Sequence, residues 1–583
     1  METKTQNNPY DNITHSDYSQ NNNIYPNHSD DNSPYPIQPM AVEVKQEDSI
    51  YTKRLKEHFP FFGIGSALYA LFYTFCLYKN ASGITYPFFV VGTLCYFFFS
   101  MRKLGVPYKK DSVFYIVSIV LLGISNCLTN SEPLLLMNKC GIFLLSFILM
   151  IHTIYMDKTW NFPKYLCTIM ETIGTVFTCI LRPFSDMIFY FDAQKREKSG
   201  KQSYFVPVLI GVAITIPMLF VMTSLLVSAD IVFSDMLGRI LPAFNLPTIF
   251  GVSFLTVLVF FCSYAVYAAL GMKNVKGTVE DHRVLEPVIA IIVTAALSAL
   301  YMVFSMIQIL YLFIGNMQLP MGYTYSQYAR QGFFQLLAVC IMNLIIVLIC
   351  LHLFRENTAL KVILTVISGC TFIMILSSAL RMLMYIDRYN LTFLRILVLW
   401  ALAVIFLLMA GVTILIYRNK FPLFTYSMVI VTVFYIGLSF AHPDFWIAKY
   451  NLNPQHLDYL NEYDVYDSQK YLSGLSADAA PILLNEEQNP YMQANVIGNV
   501  NAGDIIKNWN ILTEAKDMIK DWNNTTEYKN LADLAHDSME KLNDVAKELK
   551  WLHCYYDKID NLSADMHIRS FNFSVYTAGK YME

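Results

Sequence analysis

The chain has 583 residues, of which 55% are hydrophobic and only 15% charged, where soluble domains carry about 25% charge. With a formal net charge of -3 and polar sequence confined to its two ends, it is excluded from the soluble globules and offers no basic surface for nucleic acid. Ten of its eleven cysteines lie between Cys76 and Cys370, inside apolar runs, and only Cys554 falls in the polar tail. No CxxC pair or Cys/His spacing suggests zinc, so the cysteines read as small packing residues, and neither metal nor cofactor is expected.

Residues 1–55 are rich in Asn, Asp, Ser, Tyr and Pro and are predicted to be a disordered polar segment. They lack the charged start, apolar stretch and cleavage site of a signal peptide, so the first apolar span is expected to act as the insertion signal.

Residues 56–440 read as a transmembrane helical domain. A crossing takes about 20 apolar residues, and eleven stretches qualify: 60–78, 84–101, 112–128, 134–155, 205–228, 248–271, 287–315, 331–353, 360–386, 392–417 and 421–440. The stretch 165–181 differs. Leu166, Ile169, Met170, Ile173, Val176, Phe177 and Ile180 recur at helical spacing, with Glu171, Thr172, Thr175 and Thr178 opposite. That pattern predicts an amphipathic helix lying in the interface.

Basic residues alternate between loops. Lys53, Arg54 and Lys56 precede the first span, and Arg102, Lys103, Lys109 and Lys110 follow the second. Lys273, Lys276 and Arg283 follow the sixth, Arg355 and Lys361 the eighth, and Arg418 and Lys420 the tenth. Basic loops stay in the cytoplasm, which puts the amino terminus inside and, after eleven spans, the tail outside. Against this bias, Arg330, Arg381, Arg388 and Arg395 fall on the outer side. They form a candidate polar cluster for lipid phosphates, an anionic ligand or the acids of the tail.

Residues 441–583 carry 22 acidic against 12 basic side chains and read as an acidic, mostly helical extramembrane domain. Leu531, Leu534, Met539, Leu542, Val545, Leu549 and Leu552 make one apolar stripe. Asp467 is placed to cap a helix that stops at Gly474, and Ser476-Ala477-Asp478 to open another with Pro481 in its first turn. The stripe needs a partner, either within the tail or on the membrane face.

Three stretches carry a resemblance: YLFIGNMQLPMGYTYSQYARQGFFQLL at 311–337, RMLMYIDRYNLTFLR at 381–395, and the tail series IAKYNL at 447–452, LDYL at 457–460, YLSGLSADAAP at 471–481 and RSFNFSVYTA near the end. In this order they resemble a bacterial membrane family catalogued as domain of unknown function 4173, from about the fifth span to the terminus. The resemblance implies a multi-pass bacterial membrane protein and supplies no catalytic residues.

The phosphate loop GxxxxGK[ST], HExxH, GxSxG and GxGD are all absent from the sequence. His152 and His352 sit near cytoplasmic span ends and read as packed or interfacial histidines. The expected protein is therefore an all-α polytopic bundle in the cell membrane, in contact with the lipid bilayer. The leading reading is a non-enzymatic scaffold, sensor or accessory subunit of the bacterial envelope whose tail meets another membrane or envelope protein. The alternatives are a transporter or flippase-like carrier, and an enzyme acting on lipid-linked substrates.

Overall fold

The computed structural model describes residues 49–80, 82–155, 157, 160–197, 215, 218–219, 222–223, 225–240, 246–272, 283–310, 333–419, 421–457, 462–494, 501–511, 514 and 529–582. Among the described residues, these helices lead up to the tail: α1 (Ile50–Glu57), α2 (Phe59–Leu77), α3 (Thr85–Leu104), α4 (Ser112–Leu128), α5 (Glu132–Ile154), α6 (Phe162–Thr178), α7 (Arg182–Glu197), α8 (Ile231–Ile240), α9 (Leu246–Met272), α10 (Pro287–Gln308), α11 (Phe333–Leu353), α12 (Thr358–Tyr389), α13 (Phe393–Tyr417) and α14 (Leu423–Phe440). Eight of these, α2, α5 and α9–α14, are long and apolar enough to cross a membrane. The second and third predicted spans are helices of 20 and 17 residues. The predicted span 205–228 falls mostly outside the described residues.

Two expectations are corrected. The end of the polar head is helical, because α1 buries Thr52 and Leu55 and is capped by the Ser49 hydroxyl. Glu462–Ser473 forms one helix that stops at Gly474 as expected, but Asp467 lies inside it instead of capping it. The stretch read as an interfacial amphipathic helix is α6, which meets α7 at 63° across a short break; together the two are apolar enough for a broken span or a re-entrant loop. Pro183, in the first turn of α7, has no N–H to bond the Cys179 carbonyl and its ring crowds that carbonyl, which accounts for the break.

In hydrocarbon every backbone polar group must find its partner inside the protein, which favours unbroken helices. Prolines sit in the first turns of α2, α5 and α10, where no donor is lost. Gly105 ends α3 at φ 80°, a conformation open to glycine, and the Arg54 guanidinium fills the space beside it to donate to the Leu104 carbonyl at 2.8 Å.

The core divides by region. One cluster joins α2, α3, α4, α5, α9 and α14 around Phe62, Leu122, Leu149 and Tyr264. Two more fill α10–α13, around Cys340 and Met374 and around Val347 and Met409. A fourth belongs to the tail, where Leu549, Leu552, Tyr555 and Ile559 of the helix Lys529–Ala564 pack on Ile447, Leu472 and Leu483. Of the stripe predicted for this helix, Leu549 and Leu552 are buried and Val545 is half-buried against the same cluster. α1 packs at the end of the bundle that carries the basic loops, while the tail packs at the opposite end, against Asn80, Gly83 and Thr129.

A polar knot pins three helices inside the first cluster. Asn138 on α5 accepts from Tyr435 and Ser439 on α14, each at 2.7 Å, and Ser439 meets Ser125 on α4 at 2.6 Å. Asn138→Ala strips the acceptor from two buried hydroxyls and is expected to cost about 1–3 kcal/mol. Thermal unfolding in detergent should show a lowered midpoint; an unchanged midpoint would mean that the knot adds nothing to stability.

Candidate functional site

A convergence of buried polar groups lies where the tail meets the bundle. After α14 the chain turns at His442, whose φ of 47° is left-handed and uncommon outside glycine, and Pro443 opens the next helix, Pro443–Asn451. This turn brings His442 Nδ1 to 3.0 Å from Asp478 Oδ2. Asp478 itself sits in a short 3-10 turn, Ala477–Ala479, which follows Ser476 as its cap, and its side chain has no exposed surface.

Three chain segments serve this one carboxylate. Thr129 donates its hydroxyl to Oδ2 at 2.5 Å, the Asn130 N–H donates to Oδ1 at 3.2 Å, and the Ser574 hydroxyl also donates to Oδ1. Around it, Asn572 donates to the Thr129 carbonyl at 2.9 Å, the Ser476 N–H donates to Asp444 at 3.2 Å, and the Tyr555 hydroxyl donates to the Ser476 carbonyl at 2.7 Å. Asn80, at the end of α2, donates to the Arg569 carbonyl at 2.8 Å, and Arg569 donates back to the Phe75 carbonyl at 3.1 Å. Gly83 allows this approach, since a Cβ there would stand 2.1 Å from the Arg569 carbonyl.

Burial alone pushes the Asp478 carboxyl up, but the donors from His442, Ser574 and Thr129 outweigh it and hold the group below the usual carboxylate range. The bond to Asp478 raises the His442 imidazole above its ordinary value, against a smaller opposing effect of burial. Burial raises Asp444. The pair can therefore carry opposite charges, with Asp478 fully buried, where an unpaired charge would be costly, and His442 partly open to solvent.

Of the sequence candidates, Arg330 lies outside the described residues. The other three come from one helical hairpin, α12–α13. Arg381 is buried inside the bundle, 3.1 Å from Gln308 Oε1, which also accepts from Ser377 at 2.7 Å. Arg388 is exposed in the last turn of α12. Arg395 donates to the Tyr389 and Asn390 carbonyls and lies 4.2 Å from the Tyr385 ring centroid, so its partners are the end of α12 and not a tail acid. Asp478, His442, Thr129 and Ser574 were missed as site residues. The available signals were an acid set among small residues, Ser476-Ala477-Asp478-Ala479-Ala480, and the polar turn Thr129–Ser131 at a span end.

The opposite end carries two smaller clusters. His152 Nδ1 stands 2.7 Å from Asp157 Oδ2, which also accepts from Tyr165, and Lys109 donates to the carbonyls of His152 and Tyr155. Glu356 takes Arg283 at 2.7 Å and Lys361 at 2.8 Å, and Asn419 donates to it as well. Among the described residues no group of three or more His, Cys, Asp or Glu is placed to hold a metal ion.

A family model described as domain of unknown function (DUF4153) matches residues 116–486. The matched family is of the unknown-function kind that the resemblance implied, but its number is not 4173, and the match starts earlier and ends before RSFNFSVYTA. It covers Thr129, His442 and Asp478 and leaves Ser574 outside. No curated protein and no solved structure matches the chain.

Cys127, buried at the tail end of α4 with its Sγ 3.8 Å from the Phe571 carbonyl, reports on this interface. Asp478→Ala is expected to cost about 3 kcal/mol or more and to speed maleimide labelling of Cys127 about a hundredfold, in a background lacking the exposed cysteines. Unchanged labelling would show that the carboxylate does not hold the tail. The interface should also respond to pH. The depressed Asp478 contributes above about pH 4 and is lost as pH falls through its lowered folded value. The raised His442 contributes below about pH 6.5 and is lost as pH rises through its raised folded value. Cys127 labelling should be slowest between these limits, and His442→Gln should abolish the alkaline limb.

Proposed function

Since the chain belongs to the DUF4153 family, a domain of unknown function, we propose its role from its own geometry: a non-enzymatic scaffold or accessory subunit that holds an acidic helical domain in a fixed attitude over the membrane. The observation that carries this reading is the Asp478 interface, where donors from Thr129, Asn130, His442 and Ser574 converge on one buried carboxylate. A tethered domain needs only a linker, whereas a domain sealed onto the spans by a matched charge keeps one orientation toward whatever binds it. The proposed partner is another membrane or envelope protein meeting the tail. The proposal includes a bacterial cell membrane, the amino terminus in the cytoplasm and the tail outside, in line with the alternation of basic loops.

One observation favours a second reading. Arg381 lies inside the bundle on a span, with Gln308 and Ser377 beside it, and an ionisable group at such a place is a candidate for an anion path. Arg388 and Arg395 would then stand at its tail-end mouth.

Complementation of a deletion strain separates the two. The scaffold reading expects Arg381→Gln to restore the lost phenotype and Asp478→Ala to fail, with both variants reaching the membrane at wild-type levels. The reverse pattern would favour the carrier. Exposed Cys554, labelled in intact cells by an impermeant thiol reagent after replacement of the other cysteines, tests the side: protection that disappears on lysis would place the tail inside.

A further inference from the structure

The basic end of the bundle holds an apolar groove of about 620 Å³ between α12 and α13, lined by Phe372, Ala410, Thr413, Ile414, Tyr417 and Arg418. Its polar atoms are already spent on the protein. The Thr413 hydroxyl donates to the Met409 carbonyl at 2.8 Å, and the Tyr417 hydroxyl meets Thr365 at 2.8 Å. What remains is hydrocarbon wall on two helices apolar enough to span a membrane, with one cation at the mouth.

That cation stands apart from its neighbours. At the same corner Arg283 and Lys361 are matched by Glu356, and Arg355 by Glu286 at 3.3 Å. The Arg418 side chain is exposed, and among the described residues it makes no hydrogen bond or ion pair. The local acids are taken up by other cations, so among the described residues Arg418 stands without an acid partner directly beside an apolar slot. An arginine fork suits a phosphate, and basic residues at the edge of a span attract anionic lipid.

The geometry points to a specific site for an anionic glycerophospholipid of the leaflet at the basic end, one acyl chain lying in the α12–α13 groove and its phosphate on Arg418. The site stands independently of the scaffold and carrier readings, since it uses no residue of the Asp478 interface or of the Arg381 cluster.

Native mass spectrometry of the full chain in detergent, titrated with phosphatidylglycerol or phosphatidylcholine, tests it. The wild type should hold phosphatidylglycerol about fivefold more tightly, the share of one basic residue. Arg418→Gln should bring it down to the phosphatidylcholine level, whereas Arg355→Gln, which removes a cation already paired, should leave the preference intact. Ala410→Phe, which fills the groove, should weaken both lipids. A preference that survives Arg418→Gln, or is lost equally in Arg355→Gln, overturns the assignment. Competition by inorganic phosphate at the same concentration would also overturn it, since a free anion would then suffice. If Ala410→Phe fails to fold, the two arginine variants still decide.

Discussion

A carboxylate with no exposed surface must be met by donors or give up its charge, and Asp478 makes this demand at the point where tail and bundle touch. Its donors come from the α4–α5 turn, the end of α14 and the last helix of the chain, segments separated by more than 300 residues between Thr129 and Asp478 alone. No single segment can satisfy it, so the charge is stable only when all are assembled. A greasy contact between the same surfaces would hold them together without fixing their orientation. The buried charge selects one arrangement, because a small rotation would break several bonds at once.

The same principle operates at a smaller scale inside the spans. Asn138 with Ser125, Tyr435 and Ser439 ties α5 to α4 and α14, and Asn343 with Thr371, 3.0 Å apart, ties α11 to α12. In lipid, apolar packing discriminates poorly between one helix neighbour and another, and side-chain hydrogen bonds of modest strength choose the partner. α14 is the hinge of this arrangement, since it shares the knot with α4 and α5 while Trp400 of α13 donates to its Phe434 carbonyl at 2.9 Å. The first cluster and the α10–α13 clusters are thereby joined.

The spans were legible because a crossing is written in many residues at once. Each of α9–α14 carries a window apolar enough that boundary errors of a few residues do not matter. Single-residue features fared worse, since nothing in a sequence says which side chains meet. Arg381, Arg388 and Arg395 share a hairpin, so spacing suggested a cluster, yet one points into the bundle and another caps the helix before it. Asp478 looked like a routine member of a turn motif, and only the fold brings Thr129 to it across the chain. Part of the tail stripe, Val545, Leu549 and Leu552, was correctly read because a helical period survives without knowledge of the partner.

The two ends of the bundle are built on opposite electrostatic plans. At the tail end the decisive charge is the buried Asp478 carboxylate, matched by His442 at its edge, so the surface there is committed to one internal contact. At the basic end the ion pairs of Glu356 and Glu286 are partly exposed, and exposed pairs add little stability. Their effect is better understood as allocation: by occupying Arg283, Arg355 and Lys361 they leave Arg418 as the cation facing the groove. Rigid presentation at one face and a cation held ready for lipid at the other are compatible demands only because the spans between them are locked by internal polar knots. A bundle free to slide would lose the register that keeps the Asp478 donors together and the groove between α12 and α13 open.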